Sequence, residues 1–393
     1  MKILFIHNKY IQFGGEDVAV EQEMALLSAK GHNVKILFFE NENITGIISK
    51  IKAAFQAIYN FSSARKVKKA IKEFNPDIIH VHNLFFIASP SVLYAASRKK
   101  IPVILTLHNY RLICSNALLL RDNKVCELCI QKKFPLSGIR YKCYRNTRAG
   151  STLVTLITGV HKLLNTWKKK VTTYTVSNEF SRVRLLNSSL QLPEHKLVAK
   201  ANFISDPGEG KVPREDFYLF AGRIAKEKGA HMLLEAFAGL PNRKLVLVGD
   251  GPEKEYLKNQ FKSYDNIHFT GQLQKPDVLE YMKRCKALIC PSVWYEVTPF
   301  TNLEAFATGT PVIASRLGSM KETIKDGYNG LHFTAGDPED LKNKVELFMQ
   351  ITDHNNDLYK NARESYLQKY HPDVHYRSII RIYEQAINNY SDQ

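Results

Sequence analysis

Residues 291–315 read PSVWYEVTPFTNLEAFATGTPVIAS, and two carboxylates, Glu296 and Glu304, stand eight positions apart in this otherwise apolar and small-residue run. Pro299 fits a helix start, and Asn302, Leu303, Glu304, Ala305 and Phe306 then form the first turns before a stop at Gly309-Thr310-Pro311. The apolar run 287–291 just before them reads as a strand. Both acids therefore project at the carboxyl end of a strand, where open α/β sheets bind ligands. Two solvated surface acids favoured by the helix dipole would look the same in this stretch alone.

Working outward, apolar runs alternate with amphipathic stretches through both halves of the chain, the pattern of βαβ units and parallel sheets. In the first half the strands read 2–7, 33–39, 77–81, 103–107 and 172–176; in the second, 217–221, 244–248, 267–270, 287–290 and 311–314. Two sheets of similar size follow. The stretch ISDPGEGKVPRED, 204–216, reads as the linker between them. A chain of 393 residues has room for two such domains. No apolar run reaches the roughly 18 residues of a membrane span, and MKILFI opens a strand instead of a signal peptide, so a soluble intracellular protein is expected.

The formal net charge is +17, and it is unevenly placed: residues 1–200 hold 31 of the 55 Lys and Arg but only 12 of the 38 Asp and Glu. Basic clusters at Arg65-Lys66-Val67-Lys68-Lys69, Arg98-Lys99-Lys100 and Trp167-Lys168-Lys169-Lys170 would attract nucleic acid, anionic lipid or a phosphorylated substrate, or form solvated helix faces. No helix-turn-helix, zinc-finger or RNA-recognition signature is present, which ranks an anionic membrane surface above nucleic acid.

Val248-Gly249-Asp250-Gly251-Pro252 follows a strand, but no third Gly completes a dinucleotide fingerprint and no GxxxxGK[ST] loop occurs, which disfavours a dehydrogenase or an ATPase. Gly14-Gly15 lies between the first strand and a helix expected near Asp17, where backbone N–H groups can approach an anion or simply form a tight turn. In FAGRIAKEKG, 220–229, Arg223 falls just beyond a strand end and Lys228 before a helix near Ala230. Two cations at a helix start suit a diphosphate.

Taken in order, GGEDVAVEQEMALLSAKGHNV, PDIIHVHN, LTLHN, NFISD, GRIAKEKG, LVGDGP, the opening stretch and DGYNGLHF resemble the retaining glycosyltransferases of family 4 over nearly the whole chain. The resemblance implies the GT-B fold, two Rossmann-like domains facing each other across a cleft. An acceptor-binding domain would span 1–204, with an insertion at about 109–150. A donor-binding domain would span 205–372, and a C-terminal helix of about 373–393 would pack back on the first.

It further implies that Glu304 accepts hydrogen bonds from the nucleotide ribose and Glu296 from the transferred sugar, roles that suit acceptor-only carboxylates. Arg223 and Lys228 match the diphosphate-binding pair, and the backbone of Phe300, Thr301, Asn302 and Leu303 adds N–H donors, with Gly14 and Gly15 also on the donor. His108 matches the histidine beside the transferred sugar. With Glu296, Arg223 and Lys228 it forms the expected catalytic set. No Asp-x-Asp occurs for a catalytic metal, so metal-independent transfer from a UDP- or GDP-sugar is expected, with retention and front-face attack. Where many relatives carry Gly-Phe-Gly after the first Glu, this chain has Val297-Thr298-Pro299.

The implied acceptor is a saccharide, carried on a lipid at the inner face of the cell membrane for a surface polysaccharide. A nucleotide-sugar 2-epimerase of similar fold or a non-catalytic nucleotide-sugar-binding protein are the alternatives. His80 and His82 share a strand face; with His108 they could imitate a three-His zinc site, although the resemblance puts no metal there.

Four cysteines, Cys114, Cys126, Cys129 and Cys143, fall in the insertion, and their C-x2-C core suits a structural tetrahedral zinc; free thiols, another metal or disulfides are the alternatives. Cys285 and Cys290 read as buried core thiols. Residues 151–170 run apolar, then aromatic, then basic, the order of a helix lying in a membrane interface or of a buried domain helix.

Overall fold

The computed structural model describes residues 1–9, 14–40 and 47–391. The last two residues of the expected C-terminal helix lie outside them. Fourteen strands occur among the described residues. In chain order the first eight are β1 (Lys2–Lys9), β2 (Asn33–Glu40), β3 (Ile78–Asn83), β4 (Val103–Thr106), β5 (Leu120–Arg121), β6 (Lys124–Val125), β7 (Thr173–Val176) and β8 (Leu197–Ala199). They are followed by β9 (Phe217–Ala221), β10 (Lys244–Val248), β11 (Ile267–Gly271), β12 (Leu288–Cys290), β13 (Val312–Ser315) and β14 (Gly330–Phe333). Two six-stranded parallel sheets result, as the alternation of runs predicts, with orders β2-β1-β3-β4-β7-β8 and β11-β10-β9-β12-β13-β14.

The central strands are buried along their whole length, Ile78 to Asn83 and Val312 to Ser315 without a break, because helices cover both faces of a parallel sheet. The sixth strand of each sheet escapes the sequence reading for local reasons. β8 is three residues long, and β14 begins with Gly330, whose missing side chain leaves room for the Val312 carbonyl: a Cβ would meet that oxygen at 2.0 Å.

The chain divides into two compact units. One comprises Met1–Leu119, Cys126–Asn202 and His375–Gln393; the other comprises Leu120–Val125 and Phe203–Val374. The small hairpin β5–β6 thus clusters with the second unit although its flanks belong to the first. It turns on Asp122 and Asn123, both at positive φ (50° and 56°), the backbone a two-residue hairpin needs. In the first unit, Ile3, Phe5, Val20, Leu27 and Ile104 pack with Ile379, Ile382, Tyr383 and Ala386 of the helix Pro372–Ser391. In the second, Tyr218, Leu233, Phe237, Leu245, Ile313 and Phe348 form the main core.

Candidate active site

In the second unit the strand order reverses around β9 and β12: the chain leaves β9 toward β10 and β11 on one side, then returns to β12, β13 and β14 on the other. Loops leaving the carboxyl ends of these two neighbouring strands diverge, and such a reversal opens a crevice for a ligand. The loop after β9 carries Arg223 and Lys228, and the loop after β12 carries Glu296. They are knit together: Val293 N donates to Glu227 O at 3.0 Å, and Gly229, at φ 72°, lies so close to Pro291 that a Cβ would meet its carbonyl at 2.0 Å.

Across this junction the Lys228 ammonium donates to Glu296 Oε1, which also accepts from Ser292 Oγ at 2.7 Å and Trp294 Nε1 at 3.0 Å. Glu296 is only 4% exposed, and all three donors converge on one of its two oxygens. Burial pulls the Lys228 ammonium down, but Glu296 more than offsets it, leaving the lysine above its ordinary range. Arg223 is mostly exposed and pairs with Glu227. The structure therefore joins Lys228 with Glu296 and holds Arg223 on a different acid.

Glu304 stands in the helix Phe300–Ala307, which starts at Pro299 with no side-chain cap. Uncapped first-turn N–H groups are available to an anion. Glu304 is 5% exposed and paired with the exposed Lys275, and Glu296 is as deeply enclosed. The solvated-acid alternative fails for both, since a buried carboxylate needs partners and each has one. Asn302, two residues before Glu304, is fully enclosed, and neither atom of its amide has a hydrogen-bond partner among the described residues.

The Gly249-Asp250-Gly251 stretch has a different purpose from a dinucleotide loop. Gly249 and Gly251, at φ 145° and 158°, press against the carbonyls of Gly222 and Ile224, where a Cβ would stand 1.9 and 2.3 Å from oxygen. Gly222 N donates to Val248 O and Ile224 N to Asp250 O, so the loop that carries Arg223 is laid backbone to backbone on the loop after β10.

In the first unit, His82 is the penultimate residue of β3 and His108 stands two residues past β4, and His82 Nδ1 and His108 Nε2 lie 2.9 Å apart. His108 lines a small cavity with Glu16, His82, Asn83, Asn109 and Arg111. Burial, then the charge of Lys200, lowers the His108 pKa to about 3, so the ring is neutral at pH 7. Gly14 caps the helix Gly15–Ala29 in an extended conformation, and its N–H is already taken by Asp17 Oδ2 at 2.9 Å. That N–H is therefore engaged within the chain and does not meet the expectation of an open anion donor.

Residues 204–365 match the family described as glycosyl transferases group 1, and residues 13–129 match Glycosyltransferase Family 4. The chain belongs to glycosyltransferase family 4. An uncharacterized glycosyltransferase of Methanocaldococcus jannaschii is 28% identical over 179 residues, 44% of this chain and 46% of that one. The chain spans about half or less of the length of the curated relatives it matches. Among solved structures, sucrose-phosphate synthase from Thermosynechococcus elongatus superimposes with a TM-score of 0.70 at 17% identity, covering 99% of both chains. Anabaena HepE in complex with UDP-glucose superimposes at 0.66 with 16% identity over the whole of both chains. Both likenesses are of fold, and the fold of this family 4 chain is GT-B.

Two further expectations meet the structure differently. The segment read as an interface helix is the helix Arg148–Leu163 followed by Trp167, and Trp167 is 1% exposed, its ring against His161 and its Nε1 toward Thr158 O. A tryptophan buried in the domain cannot anchor in a lipid interface; the exposed apolar groups there are Leu156, Leu163 and Leu164. No helix among the described residues is long and apolar enough to cross a membrane.

None of the six cysteines is in a disulfide. Burial, then the neighbouring thiols of Cys114, Cys143 and Cys126, pushes the Cys129 thiol up to about 12. The insertion thus gathers its thiols around Cys129, without closing them into as tight a group as Glu23, His80 and His82 form elsewhere in the same unit. That trio was not legible in the sequence, where Glu23 lies 57 residues before His80 and no spacing joins the two.

Proposed function

We propose that the chain is a retaining glycosyltransferase that moves a sugar from a nucleoside-diphosphate sugar to a hydroxyl of a saccharide acceptor. The observation that carries this reading is the Lys228–Glu296 pair at the strand-order reversal, beside the uncapped start of the helix bearing Glu304. Glu304 takes the ribose hydroxyls. Glu296, with one oxygen held by three donors, presents the other to the sugar. Arg223, Lys228 and the amides of Phe300 and Thr301 neutralise the diphosphate as it leaves. The bond from the anomeric carbon to the phosphate oxygen breaks with its electron pair, the acceptor oxygen bonds that carbon on the same face, and its proton passes to the departing phosphate.

A UDP-sugar is the first donor to test, because HepE was solved with UDP-glucose. The acceptor is read as lipid-linked, for a cell-surface polysaccharide, with the basic first unit resting on an anionic membrane. Support for that comes from its charge and from exposed Phe55, Phe61, Leu163 and Leu164. Catalysis is read as metal-independent, with zinc confined to a structural role on Cys114, Cys126, Cys129 and Cys143. Four thiols grouped in one insertion, free of disulfides, are a donor set that suits it.

Thermal unfolding with UDP, GDP, ADP and dTDP tests the donor site. At a hundred times Kd one diphosphate adds about 2.7 kcal/mol to the wild type and nothing to Glu304→Ala. No shift with any diphosphate would remove the main support for the reading. Elemental analysis of the purified chain should find about one zinc, and transfer should survive a chelator of Mg²⁺ and Mn²⁺.

A further inference from the structure

Behind His108 lies a buried polar chain that the transfer step leaves without a role. Glu23 Oε2 accepts from Lys200 Nζ at 2.6 Å and lies 2.8 Å from His375 Nε2. Its other oxygen, Oε1, is 3.0 Å from His80 Nδ1 and 3.8 Å from His82 Nε2. Neither Glu23 Oε1 nor His82 Nε2 makes a well-formed hydrogen bond among the described residues, and both atoms are buried. His82 Nδ1 then meets His108 Nε2 at 2.9 Å, and no partner of His108 Nδ1 is found among the described residues. Five separate parts of the first unit, the helix Gly15–Ala29, β3, the segment after β4, the segment after β8 and the helix Pro372–Ser391, supply these groups.

The charge of Glu23, acting across a 3.8 Å gap too long for a hydrogen bond, orders the protons of this chain. A neutral imidazole has one ring proton, and an ionised carboxylate only accepts. With its proton on Nε2, His82 faces the carboxylate as a donor; with Nε2 bare, a lone pair would face a lone pair. Once Nε2 carries the proton, His82 Nδ1 must accept, so the proton between the two rings belongs to His108 Nε2. His108 Nδ1 is then bare.

We propose that Glu23, held by Lys200, sets the tautomer of His82 and through it that of His108, so that His108 offers an obligate acceptor, Nδ1, to a hydroxyl in its cavity. Glu23 and His82 are positioning residues. That the hydroxyl is a sugar's rests on the proposed function; the tautomer does not. The charge states agree with the geometry. Burial pushes the Glu23 carboxyl up, but Lys200 and His80 outweigh it and hold it well below the ordinary range. Burial, then His80, holds His82 well below its own. The group Glu23, His80 and His82 has ligand atoms within 4.8 Å of one another, yet the Lys200 ammonium already occupies the place of a cation on that carboxylate.

Long-range ¹H–¹⁵N spectra of the ligand-free full chain read the tautomer directly, with His108→Gln assigning the ring. The expected result is Nε2–H for both His82 and His108 in the wild type. In Glu23→Gln the side-chain amide can donate to His82 Nε2, so the His108 signals should move toward Nδ1–H while Glu23→Asp keeps the wild-type pattern. In the same Gln variant kcat/KM for transfer should fall about 10- to 100-fold, the size that loss of an orienting partner of a histidine produces. Nδ1–H on His108 in the wild type, or an unchanged pattern in Glu23→Gln, overturns the proposal. If Glu23→Gln does not fold, His82→Gln serves: its amide can either donate to or accept from His108 Nε2, so the single Nε2–H form of His108 should be lost, and its persistence overturns the proposal. Should no transfer be found while the tautomer behaves as stated, the proposed function fails and the relay stands.

Discussion

Lys228 and Glu296 are 68 positions apart, and no spacing in the sequence joins them; they meet because β9 and β12 are neighbours in the sheet. Each residue type was readable as a ligand for a phosphate or a hydroxyl, but the pairing was not. The pair is enclosed, Glu296 almost wholly, so removing one member strands the other charge away from water. Lys228→Met is expected to cost about 3 kcal/mol in urea unfolding, and the double variant with Glu296→Leu to recover most of it. A single variant within about 0.5 kcal/mol of wild type would mean that water already solvates the glutamate. Arg223, by contrast, is mostly exposed and pairs with Glu227, four residues on in the same loop, a contact between near neighbours in sequence.

At the scale of elements, the glycines after β10 explain why a partial fingerprint appears without a dinucleotide site. Two close backbone approaches need Gly249 and Gly251, while the third fingerprint position is Lys254, the first residue of the helix Lys254–Gln260, whose ammonium pairs with Asp250 at 3.3 Å. Gly249→Ala would place a Cβ 1.9 Å from the Gly222 carbonyl and force a positive φ on alanine. It should cost clearly more than the roughly 1 kcal/mol expected where only φ is at fault. Gly336→Ala, at φ 82° with nothing within 4 Å, supplies that reference, measured by the same unfolding curves. Equal costs would show that the loop moves away at little expense. Most strands were legible because a parallel strand buried on both faces is a plain apolar run. β8 and β14 were not, one too short and the other opening on a glycine, nor were the two-residue strands β5 and β6.

At the scale of the whole molecule, the first unit holds most of the enclosed histidines, His332 lying in the second. His7, His80, His82, His108, His161 and His375 all have lowered pKa values, with burial the largest cause in each. A histidine kept neutral when folded takes up a proton on unfolding once the pH is below about 6.5, so the unfolded state gains as pH falls. Each fully shifted ring then lowers stability by up to about 1.4 kcal/mol per pH unit between 6.5 and its folded pKa. The chain's two tryptophans, Trp167 in the first unit and Trp294 in the second, report the units separately. In Trp294→Phe the Trp167 fluorescence midpoint should drop between pH 7.5 and 5.5 by more than the Trp294 midpoint does in Trp167→Phe. Equal drops would place the titrating groups elsewhere.

The sequence by itself determined the α/β class, the two parallel sheets and the family, because these rest on local periodicity and on short motifs whose residues stay together along the chain. It also placed Glu296 and Glu304 at a strand end and a helix start. Only the tertiary structure decided which charges meet. Strand order brought Lys228 to Glu296. The return of the helix Pro372–Ser391 to the first sheet set His375 and Tyr383 beside Glu23 and His80, closing a polar chain whose members lie up to 360 positions apart. Burial, which holds those histidines neutral and Trp167 away from solvent, is a property of packing that no single stretch of residues encodes.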